Sequence, residues 1–186
     1  MALVILDRDG VINEESDDFI RSVDEWVPIP GSIEAIADLS RAGYRVAIAT
    51  NQSGLGRGLF SRDDLEAIHT RLRQMVAEKG GSIAGIFYCP HTPGEGCACR
   101  KPATGLLHAI EDTLGESAAG ATFIGDSLRD LQAARAFSCA AMLVRTGNGG
   151  ATLAALQSGE AQLDAWEALP VFDDLAAAAR SILRGR

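Results

Sequence analysis

Short apolar runs alternate with amphipathic segments along this chain, and that alternation constrains the fold more than any other feature. ALVIL (2–6), VAIAT (46–50), IAGIFYC (83–89), ATFIGD (121–126) and AAMLVRTG (140–147) each read as a buried strand. Between them, SIEAIADLSRAGY (32–44), SRDDLEAIHTRLRQMVAEKGG (61–81), LLHAIEDTLG (106–115) and LRDLQAARAF (128–137) carry helical periodicity, with Ser61 at an N-cap position and glycines near several ends. Strands that are apolar throughout, rather than alternating, are buried on both faces, so the pattern predicts an α/β fold: a doubly wound, Rossmann-like, mostly parallel sheet with helices on both sides. Residues 147–162 read as a loop with a short helix, and 173–186 as a terminal helix. Residues 10–30 break the alternation and are expected to form a turn and hairpin above the sheet.

At 186 residues the expectation is one domain spanning 1–186, large enough to bury a core without disulfides. Seventeen basic against twenty-five acidic residues give a net charge of −8, which argues against a nucleic-acid surface but not against a small anionic substrate. No apolar run is long enough to span a membrane, and MALVILDRDG has neither a basic leader nor a cleavage pattern. A cytoplasmic monomer with no nucleic-acid or membrane partner is expected.

In a doubly wound sheet functional residues collect at the carboxyl ends of the strands. Four polar motifs fall there: DRDG after the first strand, TNQSG after the second, a Cys/His cluster after the third and GDSLRD after the fourth. Asp7 and Asp9, two apart in extended chain, can face one site, and Asp126 reaches it if the fourth strand lies beside the first. Close carboxylates repel unless a cation lies between them, and a hard divalent ion such as Mg²⁺ takes oxygen ligands. Gly10, Gly54, Gly56 and Gly58 suit tight turns or a close approach to phosphate.

CPHTPGEGCACRKP (89–102) holds three of the four cysteines and one of the three histidines. Cys89, His91, Cys97 and Cys99 make a Cys₃His set, the composition of closed tetrahedral structural zinc sites. The zinc would order a loop without regular structure and fix Arg100 and Lys101 directly after its last ligand. A redox pair at Cys97 and Cys99 is the other reading. Cys139 reads as a core residue, and His69 and His108 as structural.

ILDRDGVIN, TNQSGLGRG, CRKP and GDSLRD resemble, in order and spacing, the four motifs of the haloacid dehalogenase superfamily of phosphatases, over roughly residues 3–147. The resemblance implies that Asp7 is a nucleophile forming an aspartyl-phosphate and that Asp9 is the general acid and base. Mg²⁺ would be held by Asp7, Asp126 and the backbone carbonyl of Asp9. Thr50 and Asn51 would bind phosphate oxygens, Lys101 would bridge Asp7 and the phosphate, and Asp130 would support Lys101 or the metal's waters. Asn13 and Ser53 are candidates for a supporting layer.

A zinc loop of this kind is similar to those of two capless groups, the D-glycero-D-manno-heptose-1,7-bisphosphate 7-phosphatases and the histidinol-phosphatases. TNQSGLGRG and VRTG resemble the heptose enzymes, while the five residues between His91 and Cys97 resemble the histidinol spacing. Ser127 stands where the family often has lysine. The resemblance maps substrate contacts to Glu15, Ser16, Asp17, Asp18, Asn51, Gln52 and Ser53. Arg57 and Arg100 are expected to receive a second phosphate, which histidinol phosphate lacks, and the heptose reading is favoured. Its product would feed heptose-containing surface glycans. A non-catalytic binding module on the same fold stays open as a different class of function.

Overall fold

The computed structural model describes residues 2–185. In chain order its regular elements are β1 (Leu3–Leu6), α1 (Ser32–Arg41), β2 (Arg45–Asn51), α2 (Ser53–Gly56), α3 (Arg62–Glu78), β3 (Gly85–Cys89), α4 (Gly105–Leu114), β4 (Thr122–Gly125), α5 (Leu128–Ala136), β5 (Ala140–Val144), α6 (Gly149–Ser158), β6 (Val171–Phe172) and α7 (Leu175–Arg184). The strands form one six-stranded sheet in the order β3-β2-β1-β4-β5-β6, with every pairing parallel. The order reverses beside β1, which pairs with both β2 and β4, so the crevice at the carboxyl ends of β1 and β4 is the topological switch point.

Each strand feeds two cores. Val4 and Leu6 of β1 join Val46, Ile48 and Ile124 under Ile36, Leu39, Ile68, Leu72, Leu175 and Ala178 of α1, α3 and α7. Leu3 and Ile5 point the other way and join Ala47, Ala49, Phe123 and Leu143 under Leu107, Ile110 and Leu131 of α4 and α5. Burial on both faces explains why the strands read as unbroken apolar runs.

The helix ends follow their caps. Ser61 accepts from the Asp64 amide while Asp64 accepts from the Ser61 amide, closing a capping box at the start of α3. Asp174 caps α7 through the Ala177 amide. The predicted terminal helix ran to Arg186, which lies outside the described residues.

The hairpin expected over residues 10–30 is reduced to one antiparallel bridge between Asn13 and Pro28, with the Glu14 amide donating to the Val27 carbonyl and the Ile29 amide to the Ile12 carbonyl. The segment is held by bridges from Asn13 to Asp9 and to Pro28, with a single 3₁₀ turn at Val23–Glu25. Pro28 and Pro30 cannot donate to a ladder, and Val11, Ile12, Ile20, Trp26 and Ile29 plug into the core at irregular spacings instead of alternating. Two short elements also lie outside the predicted set. The one-turn helix α2 follows directly on β2, and β6 is two residues between Pro170 and Asp173, too short to show a period.

Candidate active site

β1 delivers Asp7 to the sheet's carboxyl end, β4 delivers Asp126, and the first turn of α5 delivers Asp130. Oxygens of these three carboxylates lie within 4.8 Å of one another. It is Asp130, not Asp9, whose carboxylate joins Asp7 and Asp126. β1 ends at Leu6, and the chain turns after Asp9 through Gly10 at φ +79°, so the two-residue alternation stops short of Asp9.

Lys101 neutralises part of this cluster. Its ammonium, buried with its side chain, lies 2.9 Å from Asp7 Oδ1 and 2.6 Å from Asp130 Oδ1, and donates to the Ala49 carbonyl at 2.8 Å. Three acceptors match its three donors. Burial opposes the charge, but Asp130 and Asp7 outweigh it and hold the Lys101 pKa above its ordinary value. The other Asp130 oxygen accepts from the Ser127 amide at 3.0 Å and the Ser127 hydroxyl at 2.7 Å. Oδ1 of Asp130 is thus ion-paired with Lys101 while Oδ2 accepts the two Ser127 hydrogen bonds.

Asp7 and Asp126 are less compensated. Burial, then the charge of Asp130, pushes the Asp7 carboxyl well above the carboxylate range. Burial and Asp130 likewise push Asp126 up to about 7, against the Asn148 amide that donates to its Oδ2 at 2.7 Å. Two glycines make room for this carboxylate. A Cβ on Gly10 would lie 2.1 Å from Asp126 Oδ2, and one on Gly147, at φ +56°, 2.3 Å from the same atom. Crowded, buried, under-neutralised oxygens form the donor set that a hard divalent cation fits.

Asp9 lies across the pocket. Its carboxylate accepts from Arg8 Nε (2.9 Å), Asn13 Nδ2 (2.9 Å) and Gln52 Nε2 (2.7 Å). Gln52 Nε2 also donates to the Thr50 hydroxyl oxygen at 3.0 Å, which leaves the Thr50 proton for another acceptor. The Asn51 side chain accepts from the Lys101 amide at 3.0 Å and donates to the Lys101 carbonyl at 3.1 Å, tying β2 to the segment that carries Lys101.

These groups open on a cleft of about 270 Å³ lined by Asp7, Asp9, Thr50, Lys101 and Asp126, with Glu15, Ser16, Asp17, Asn51, Gln52 and Ser53 around its mouth. Of the predicted substrate contacts, Asp18 and Arg57 are not among its lining residues. Arg57 is exposed after α2, its guanidinium 5.9 Å from the centre of the Phe19 ring. Arg100 does line the cleft, and Arg129 lines it too. Burial, then the charge of Arg129 and more weakly that of Arg57, lower the Arg100 pKa, and Arg100 and Arg129 share this rim. Arg129 and Asn148 escaped the sequence reading. Each follows a strand end by a few residues, and that position was the available signal.

The cysteine cluster assembles as its spacing predicts. Cys89 Sγ lies 3.5 Å from His91 Nδ1, 3.6 Å from Cys97 Sγ and 3.2 Å from Cys99 Sγ; Cys99 Sγ lies 3.2 Å from His91 Nδ1 and 3.6 Å from Cys97 Sγ. A tetrahedral zinc–thiolate site with bonds of about 2.3 Å has edges of roughly 3.8 Å, so the four donors fit one zinc ion. All four cysteines are free of disulfides. Arg100 Nη1 donates to the His91 carbonyl at 3.3 Å, linking this knuckle to the cleft. Cys139 is buried, donates to the Ala118 carbonyl at 3.2 Å, and takes no part.

Comparison with known proteins agrees with this geometry. The family model for haloacid dehalogenase-like hydrolases matches residues 2–138. The chain belongs to the haloacid dehalogenase-like hydrolases. It is 52% identical over 183 residues to D-glycero-beta-D-manno-heptose-1,7-bisphosphate 7-phosphatase of Pseudomonas aeruginosa, covering 98% of each chain. A crystal structure of D,D-heptose 1,7-bisphosphate phosphatase from Bordetella bronchiseptica, complexed with magnesium and phosphate, superposes with a TM-score of 0.92 at 49% identity over the whole of both chains. The corresponding phosphatase from Burkholderia thailandensis matches with a TM-score of 0.74 at 42% identity, over 98% of this chain and 99% of that one. Among the described residues of this hydrolase no helix is long and apolar enough to cross a membrane.

Proposed function

We propose that this hydrolase is a magnesium-dependent phosphatase that removes the 7-phosphate of D-glycero-D-manno-heptose 1,7-bisphosphate through an aspartyl-phosphate on Asp7. The observation that carries the chemistry is Lys101, buried between Asp7 and Asp130 and opposite Asp126. The near full-length similarity to enzymes named for this substrate carries the specificity.

In this reading an Asp7 oxygen attacks phosphorus and the bond from phosphorus to the sugar O7 breaks. Asp9 gives its proton to the departing alkoxide, then takes one from the water that attacks the phosphorylated Asp7 and releases inorganic phosphate. Lys101 holds nucleophile and phosphate together, and Thr50 and Asn51 donate to phosphate oxygens. Asp7, Asp126 and the Asp9 carbonyl would hold Mg²⁺, which when bound neutralises charge on the transferring group. Cys89, His91, Cys97 and Cys99 would hold zinc in a closed, structural role, because four protein ligands leave no open position.

The substrate's second phosphate would sit between Arg100 and Arg129 rather than between Arg100 and Arg57, since Arg129 is the second arginine that lines the cleft. Glu15, Ser16, Asp17 and Ser53 border the rest of the sugar's place, and Gln52 serves Asp9 and Thr50 more directly than it serves substrate. We read residues 1–186 as one catalytic domain, acting as a monomer in the cytoplasm, where three zinc-binding thiolates stay reduced.

The test is kcat/KM with Mg²⁺ on the heptose 1β,7-bisphosphate, its 1α anomer and histidinol phosphate, alongside Asp7→Asn. A preference of about a hundredfold for a bisphosphate, roughly 2.7 kcal/mol of transition-state stabilisation, is expected, with activity lost in Asp7→Asn. A preference for histidinol phosphate would overturn the substrate assignment, and turnover surviving in Asp7→Asn would overturn the mechanism.

A further inference from the structure

Arg8 lies between Asp7 and Asp9 in sequence and has no part in the steps above. Yet its side chain is fully buried, the largest among those at under 2% exposure. Burying a guanidinium is costly unless its donors are met, so its partners show what the fold uses it for. Nε donates to Asp9 Oδ1 at 2.9 Å, and Nη2 straddles the carboxylate, 2.8 Å from Oδ1 and 3.1 Å from Oδ2, so the guanidinium grips it as a fork. Nη1 faces His69 Nε2 on α3 at 3.5 Å. Arginine has only donors, so the facing imidazole nitrogen carries the lone pair and the ring proton sits on Nδ1, on the side of Glu66 Oε1 at 3.8 Å. His69 is buried against the Tyr88 ring, 5.8 Å between centres.

From its other side the same carboxylate receives Asn13 on Oδ1 at 2.9 Å and Gln52 on Oδ2 at 2.7 Å. Both oxygens of Asp9 are thus held from two directions; a proton on Asp9 takes the place of one amide donor, Asn13 or Gln52, while the guanidinium keeps the carboxyl group's orientation. We propose that Arg8 and His69 are a positioning pair, in which His69 orients the buried guanidinium and the guanidinium aims Asp9 at the oxygen that leaves phosphorus. The proposal rests on the reading of Asp9 as proton donor.

A simple tie between β1 and α3 would act on every substrate alike. A positioning role acts only where a proton must be delivered. An alkoxide leaving from phosphorus needs the Asp9 proton; p-nitrophenolate leaves as a stable anion without one. Because kcat/KM reports events up to the first P–O cleavage, it separates the two roles. It would be measured for the heptose bisphosphate and for p-nitrophenyl phosphate in the wild type, Arg8→Met, His69→Leu and His69→Gln, with Asp9→Asn as reference.

General acid catalysis contributes about 10²- to 10⁴-fold. Arg8→Met is expected to lose about a hundredfold on the sugar phosphate, and at least about tenfold less on the aryl phosphate, following the pattern of Asp9→Asn. His69→Leu should show the same pattern at about three- to tenfold, and His69→Gln, which keeps an acceptor toward Arg8, should recover most of it. If Arg8→Met does not fold, the two His69 variants decide. Equal losses on both substrates in Arg8→Met or His69→Leu, while Asp9→Asn discriminates between them, would make the pair structural and overturn the proposal. Equal losses in Asp9→Asn itself would instead remove the general-acid reading beneath it.

Discussion

Replacing Asp126 by asparagine should stabilise this protein in the absence of magnesium while abolishing its response to the metal. Asp126 is buried beside Asp7 and Asp130, and its carboxyl is pushed from 3.8 up to about 7, first by burial and then by the Asp130 charge. A group whose pKa is raised on folding holds its proton longer in the folded than in the unfolded chain, so stability falls as pH rises through that window. The shift of about three pH units, at about 1.36 kcal/mol each, sets a ceiling of about 4 kcal/mol above pH 7 and about 1.6 kcal/mol at pH 5. Asparagine keeps the shape and an acceptor for the Asn148 amide without the charge.

The assay is thermal unfolding of zinc-loaded protein in magnesium-free buffer from pH 5 to pH 8. The variant's advantage should open between about pH 4 and pH 7 and stay flat above. For a chain of this length 1 kcal/mol is worth about 2–4 °C, so the gap at pH 8 should reach about 8 °C or more if most of the ceiling is realised. Added magnesium should raise the midpoint of the wild type and leave that of Asp126→Asn in place. Equal midpoints at pH 8 without magnesium would show that the crowded carboxylates cost nothing, and the argument that they demand a cation would fail.

Three further outcomes are expected. Cys99→Ser, or chelation of zinc, should lower the unfolding midpoint by about 10 °C or more before it touches chemistry, because ligation in a closed site is folding energy; an unchanged midpoint with lost activity would reverse the structural assignment. Gly147→Ala places a Cβ 2.3 Å from Asp126 Oδ2 at φ +56°, so titration should show magnesium affinity down by about tenfold or more, with about 1–2 kcal/mol of stability lost to backbone strain. Arg129→Gln should cut kcat/KM for the 1,7-bisphosphate by about ten- to a hundredfold, as expected for losing a charged partner worth about 1.5–3 kcal/mol, and change that for the 7-monophosphate far less; a parallel loss on both would place the second phosphate elsewhere.

The doubly wound sheet was legible because parallel strands buried on both faces leave unbroken apolar runs, and VAIAT and ATFIGD could be little else. The strand-end carboxylates were legible on one condition, that the fourth strand lie beside the first, and β1 does pair with β4, which makes Asp7 and Asp126 neighbours. The zinc donors were legible because all four lie within one short loop. Legibility failed where a residue's role depends on side-chain direction across elements. Arg57 follows TNQSG where a phosphate-binding arginine is expected, yet its guanidinium turns to Phe19, and Arg129, one helical residue past GDSL, lines the cleft with Arg100. The sequence reading gives Arg8, the second letter of DRDG, no role. Only the fold shows that it points inward, where the cost of burying its charge is met by Asp9 and an acceptor from α3. A motif records which residues sit beside the reacting phosphate; a position inside it whose partner comes from a helix sixty-one residues away carries no local signature of that partner.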